Sequence, residues 1–254
     1  MSRNFQLMQN LGKEREMFQV PAEGTVAEPV VADSVIAEPV ELQPPQLKME
    51  EAQRDEIFKL VQGVFLMPGE KSRVVVVSGT ESGNGCSWIC ARMAEVLASQ
   101  ISGAVCVVDA NLRAPGLHRE FGVPNHYGLT DALQGTEPIR RFVTSLSRPN
   151  LWLLSSGTQV EGMHSLMRSD RMRALLPELQ REFDYVLIDA PSMDSMDSGE
   201  DSVLLGRDAE GVILVLRANS SRRESARKAV RNLENANVRV LGAVLNHRTF
   251  PSVV

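Results

Sequence analysis

With 254 residues, the chain is long enough for one large domain with a sizeable core, or for two small ones. Aromatic residues make up only 5% of it and aliphatic ones dominate, which favours a parallel α/β arrangement over a β-sandwich. The formal charge of −5 argues against a broad nucleic-acid surface.

No stretch combines the length and apolarity of a membrane span, and the N-terminus lacks a secretory pattern. A cytoplasmic protein with no membrane insertion of its own is therefore expected. The three cysteines are too few and too scattered for a disulfide framework. Cys86 and Cys90 are spaced one helical turn apart, but no further Cys or His lies nearby to complete a metal set. Reduced, structural thiols are expected, with Cys106 inside an apolar strand.

In chain order, residues 1–20 read as a short amphipathic helix with Phe5, Met8, Leu11 and Met17 on one side, or else as a fraying tail. Residues 21–46 turn to Pro, Ala, Glu and Val, with the near-repeats AEPVV and AEPVE. Such a segment buries little and breaks helices, so it is expected to be a disordered linker. A single domain is expected over 47–254. It opens with a helix, because Ile57, Leu60, Val61, Val64 and Phe65 follow helical spacing up to Pro68 and Gly69.

The run Val74 to Ser78 is too uniformly apolar for a half-exposed strand and suits the centre of a parallel sheet. A Gly-rich loop and a helix from Gly85 to Gln100 follow, then a strand from Ala104 to Ala110. After a loop-rich stretch, strands are predicted at Leu151–Ser156, Tyr185–Pro191, Gly211–Ala218 and Val238–Asn246. Between them fall helices at Ser169–Phe183, around Leu204 and Leu205, and at Ser221–Asn235. Apolar strands alternating with helices indicate a doubly wound, mostly parallel sheet, whose ligands bind beyond the carboxyl ends of the strands.

The loop after the first strand reads Ser82-Gly83-Asn84-Gly85-Cys86-Ser87-Trp88. Its glycines allow successive N–H groups to converge on a phosphate, and the following helix points its positive end at the same place. Ser87 stands where a hydroxyl would ligate Mg²⁺. A tight turn needing Gly for packing alone is the structural alternative. Asp109 and Asp189 each end an apolar strand, and Asp189 suits holding Mg²⁺ through water, although Asp also serves in helix caps and turns. Asn246, ending the last strand, could hydrogen-bond a nucleotide base or form a turn. Trp88 reads as packing its helix on the sheet, with nucleotide stacking as the alternative.

From about Ala52 to Pro251 the chain resembles the bacterial tyrosine kinases (BY-kinases of the CpsD/CapB type), relatives of the ParA/MinD phosphate-loop ATPases. The resemblance is carried by SGNGCSW, VVDANLRAPGLHREFGVPNHYGLTDAL, FDYVLIDAP and the run from Gly211 to Pro251. It implies ATP on the loop residues Ser82, Gly83, Asn84, Gly85, Cys86, Ser87 and Trp88, with Asn246 near the base. It further implies Mg²⁺ on Ser87, Asp109 and Asp189, with Asp109 and Asp189 catalytic. Homo-oligomeric rings and a membrane chain-length regulator of capsule or exopolysaccharide export are the implied partners, the latter bringing the protein to the inner membrane as a peripheral component.

Three departures qualify the resemblance. Cys86 stands where the family has its phosphate-binding lysine, and Asn111 replaces a second aspartate. No tyrosine-rich tail follows Phe250, and the chain holds only Tyr127 and Tyr185. The expectation is therefore a kinase-like regulator that binds ATP weakly and transfers phosphoryl groups poorly. An active kinase acting on a partner is one alternative, using a substitute cation such as Arg113 or Arg222, and a ParA/MinD-like positioning ATPase is another. The basic run Arg222, Arg223, Arg227, Lys228 and Arg231 reads as a solvated helix face rather than a DNA contact. The four histidines show no metal-ligand spacing, and Met163, Met167 and Met172 read as packing.

Overall fold

The computed structural model describes residues 49–67, 72–194 and 196–247, so the expected N-terminal helix and linker, and the Pro68-Gly69 helix stop, lie outside the described residues. Helix α1 (Glu51–Val61) presents Ile57 and Val61 inward and runs on as one wider turn through Leu66, which buries Phe65. Strand β1 (Val74–Gly79) follows, and all six of its residues are buried. Then come α2 (Cys86–Gln100), β2 (Val105–Asp109), α3 (Leu117–Phe121) and α4 (Leu129–Gln134).

The second half holds β3 (Thr144–Ser145), β4 (Leu151–Leu154), α5 (Met163–Met167), α6 (Asp170–Glu182) and β5 (Tyr185–Asp189). It closes with α7 (Met196–Arg207), β6 (Gly211–Arg217), α8 (Arg223–Asn235) and β7 (Val240–Asn246). The strands form one seven-stranded sheet in the order β3-β4-β2-β5-β1-β6-β7. Every pairing is parallel except the short antiparallel contact of β3 with β4. The expected doubly wound α/β fold is what the chain adopts.

Helices cover both faces, which is why the central strands carry apolar residues without alternation. On one face Val74, Val76, Cys106, Val108 and Ile188 pack with Leu175 and Leu179 of α6, Leu205 of α7 and Leu233 of α8. On the other, Val75, Val77, Val107 and Leu187 meet Val61 of α1 and Ile89, Met93 and Leu97 of α2. Met167 and Met172 are buried, and Met163 packs against the first of these clusters, as expected. Cys90 and Cys106 are buried free thiols.

The structure departs from the predicted elements mainly between β2 and α6. Helices α3 and α5 have five residues each and α4 has six, lengths too short to display a helical period. Helix α7, expected as a short helix around Leu204 and Leu205, extends over twelve residues. Tyr185 is half-buried and meets Phe65 edge-on at 5.9 Å. No helix among the described residues is long and apolar enough to cross a membrane.

Register places the site. Val77 and Asp109 flank Asp189 on the neighbouring strands, so both aspartates lie beside the exit of β1. Leu187 sits two residues earlier, between Val75 and Val107, and is fully buried. Leu187→Ala should leave a cavity there and cost about 2–5 kcal/mol of stability, measurable as a lowered urea midpoint.

Candidate functional site

The loop leaving β1 is held from three directions. Gly83 (φ 77°) and Gly85 (φ 87°) adopt left-handed conformations that side chains oppose, and Gly85 caps the start of α2. The buried side chain of Asn84 donates its amide to Thr80 Oγ1 at 3.0 Å and to the carbonyl of Val215 in β6 at 2.9 Å. Ser221 Oγ donates to Asn84 Oδ1 at 3.4 Å. From the end of β7, Asn246 donates its Nδ2 to the carbonyl of Asn84 at 2.9 Å, so that amide reaches the loop backbone. Outside these ties, the Ser82 N–H donates to Asp194 Oδ2 at 3.1 Å.

Above the loop lies a cleft of about 290 Å³, lined by Glu81 through Trp88 together with Asn111, Gly116 and Arg119 among others. Trp88 is half-buried, packs against the α2 face of the core, and has the Arg92 guanidinium 5.6 Å from its ring centre. It thus combines the expected packing with a place on the cleft wall. All seven loop residues proposed from the sequence, Ser82 to Trp88, border this cleft.

Asp109 and Asp189 are paired in register on β2 and β5, and both are fully buried. Asp109 Oδ2 accepts from the N–H groups of Gly116 and Leu117, each at 2.9 Å, which pins the second motif's loop to the strand end. Asp109 Oδ1 and both oxygens of Asp189 are buried without a hydrogen-bond partner among the described residues. Such orphaned acceptors are costly unless something binds them.

Burial raises the Asp109 carboxyl to about 6, despite the opposing pull of the Leu117 and Gly116 N–H groups. Asp189 is pushed well above the usual carboxylate range by burial and then by the charge of Asp109. The Ser87 hydroxyl is close enough to moderate that shift, although it does not meet hydrogen-bond geometry with Asp189. Two adjacent buried carboxylates cannot both ionise comfortably without a cation. Three unpaired carboxylate oxygens beside a serine hydroxyl fit a hard divalent ion that completes its shell with ligand and water oxygens. Among the described residues, no group of three or more His, Cys, Asp and Glu could hold a metal by itself.

Ser87 is positioned by a residue that sequence reasoning did not single out. A Cβ built on Gly116 would stand 2.4 Å from Ser87 Oγ, so the backbone of the second motif passes directly against that hydroxyl. The only available signal was a glycine within a segment rich in polar and turn residues. Cys86, in the lysine position, turns its sulfur inward. A Cβ on Gly79 would meet Cys86 Sγ at 2.9 Å. Burial, and after it the charge of Asp189, raises the Cys86 thiol well above its ordinary value, so it stays protonated. Arg113 lies 3.8 Å from the buried Asp201, a residue the sequence reading also missed, while Arg222 lines a neighbouring hollow with Thr80, Glu81 and Ser82.

Because the folded-state values of both aspartates are raised, their contribution to stability is fully present below about pH 4 and is lost as pH rises through the folded values, near 6 for Asp109. Asp189→Asn should therefore melt higher than the parent at pH 8 in a thermal scan. That gain should vanish in scans below pH 4. Gly116→Ala should displace Ser87 and weaken any ligand of the cleft by about tenfold, seen by titration beside a near-unchanged circular dichroism spectrum.

No family model matches the chain. Over 182 residues it is 31% identical to the putative tyrosine-protein kinase EpsB of Ralstonia nicotianae, an alignment covering 72% of this chain but 24% of that protein. It is 29% identical over 182 residues to the tyrosine-protein kinase YwqD of Bacillus subtilis, covering 72% of this chain and 75% of the relative. The chain spans about a quarter of the length of the first of these relatives. Among solved structures, the chimerical protein CapA2B2 superposes with a TM-score of 0.72 at 22% identity, over 80% of this chain and 88% of the other. The BceF tyrosine kinase domain gives 0.65 at 26% identity over 77% and 76%. The septum site-determining protein MinD of Pyrococcus horikoshii gives 0.57 at 21% over 71% and 74%, a likeness of fold alone. The chain is thus similar over most of its length to bacterial tyrosine-protein kinases, and it has the MinD-type phosphate-loop fold.

Proposed function

We propose that this chain is a kinase-like regulator of exopolysaccharide or capsule biosynthesis and export, one that binds Mg²⁺-ATP weakly and transfers phosphoryl groups poorly. The observation that carries the reading is the pair of buried aspartates, with three unpaired oxygens, beside a loop built to hold an anion. Ser87, Asp109 and Asp189 would hold the Mg²⁺, which when bound neutralises charge on the nucleotide phosphates. Loop residues Ser82 to Trp88 would cradle those phosphates through backbone N–H groups and the N-terminal end of α2.

The loss of lysine argues for weak binding and poorer transfer. Cys86 brings no positive charge, and its inward-turned thiol is held neutral. A hydrogen bond to a charged group contributes about 1.5–3 kcal/mol, or one to two decades of affinity. Removing one preorganised donor from a transition state costs about 10²–10³ in rate. Loop amides, the helix end and Mg²⁺ remain for binding. In this reading the protein works by conformation and self-association, at the inner membrane through a chain-length regulator.

A second reading, an active kinase acting on a partner, draws on Arg119 in the loop cleft and Arg222 in the adjoining hollow as replacement cations. Steady ATP turnover abolished by Asp109→Ala would select it.

Titration with a fluorescent ATP analogue in the presence of Mg²⁺ tests the first reading. Cys86→Lys should bind about ten- to a hundredfold more tightly than the parent. Equal affinities, or no binding by either protein at millimolar nucleotide, would reject it.

A further inference from the structure

A second concavity lies on the face of the sheet covered by α6, α7 and α8, and its chemistry differs from that of the loop cleft. Its volume is about 670 Å³, within the range of pockets that hold organic ligands. Four cations line it: Arg168 after α5, Arg173 in α6, Arg207 at the end of α7 and Lys228 in α8. Among the described residues the sole acid of its lining, Glu200, is paired with Arg168. Arg173 reaches, among the described residues, only the exposed Asp170, at 3.5 Å, a contact of little worth in water. Arg207 and Lys228 have no carboxylate within ion-pair distance among the described residues. Among the described side chains, a protein of net charge −5 thus gathers positive charge in excess of negative charge in one hollow.

The floor is apolar, formed by Met193, Val203 and Leu204. Met193 and Lys228 also line the hollow of about 480 Å³ that holds Thr80, Ser82 and Arg222 together with two acids, Glu81, which accepts from Ser225, and Asp194, which accepts from the Ser82 N–H, so the two concavities adjoin and lead to the phosphate loop. Among the described residues no aromatic side chain lines either hollow, so they offer no stacking platform of the kind single-stranded nucleic acids use. Cations along the walls over an apolar floor suit a polypeptide whose carboxylates alternate with aliphatic side chains.

We propose that this groove is a docking site for an acidic, aliphatic peptide segment of a partner protein, held chiefly by Arg207 and Lys228 and leading its bound chain toward the phosphate loop. The site does not depend on nucleotide.

The test is fluorescence anisotropy of a fluorescein-labelled peptide of alternating glutamate and valine, titrated with the full chain at low salt. Binding should weaken as salt rises and should fall at least tenfold in the Arg207→Glu/Lys228→Glu variant. A milder Arg207→Gln/Lys228→Gln variant should show an intermediate loss, with melting temperature near the parent's. The matched peptide with glutamine for glutamate should not bind, and ATP-analogue affinity should be the same in parent and variants. Undiminished peptide binding in both variants would overturn the proposal. So would a single-stranded oligonucleotide that binds more tightly than the peptide and is lost in the same variants, since that outcome assigns the groove to nucleic acid.

Discussion

The architecture turns on two carboxylates placed side by side at the carboxyl edge of the sheet. Asp109 and Asp189 are register partners on adjacent parallel strands, and the strand between Asp189 and the loop is β1 itself. Parallel pairing forces this closeness: strands that end together bring their last residues together, and both faces are sealed by helices. Burial raises both groups, and the charge of Asp109 raises Asp189 further, so the folded chain carries strain that a proton or a cation relieves. A sheet optimised for stability alone would not retain that arrangement.

Around this pair the second motif does more than present an acid. Asp109 accepts from Gly116 and Leu117, and Gly116 in turn abuts the Ser87 hydroxyl, so one short segment links β2 to the first turn of α2. The loop's serine and the strand's aspartate are therefore coupled mechanically as well as electrostatically. Cys86 sits outside that coupling. Its sulfur packs toward Gly79, where a lysine's long stem would instead have to reach outward to a phosphate.

Much of this was legible in the residues alone. Uninterrupted valine runs announced buried parallel strands, and glycines at 83 and 85 announced a loop with left-handed backbone. Acids directly after apolar runs announced their place at the strand ends. What stayed hidden depends on distance in three dimensions. Nothing local marks Gly116 as the neighbour of Ser87, or Asp201 as the partner of Arg113, because each pair comes together only through a crossover. Asn246 shows the same limit: its type and position allowed a base contact or a turn, and its observed tie to Asn84 spans most of the domain. Helices α3, α4 and α5 escaped detection because one turn and a half leaves no period to read.

The threefold tethering of Asn84 bears on how the cleft meets a guest. One side-chain amide locks the loop to β6, and another, arriving from β7, locks its carbonyl. The loop's conformational freedom is thus surrendered when the chain folds, before any guest arrives. Association then forfeits little further entropy at that spot, so that even a cradle short of one cation keeps the advantage of being already in shape.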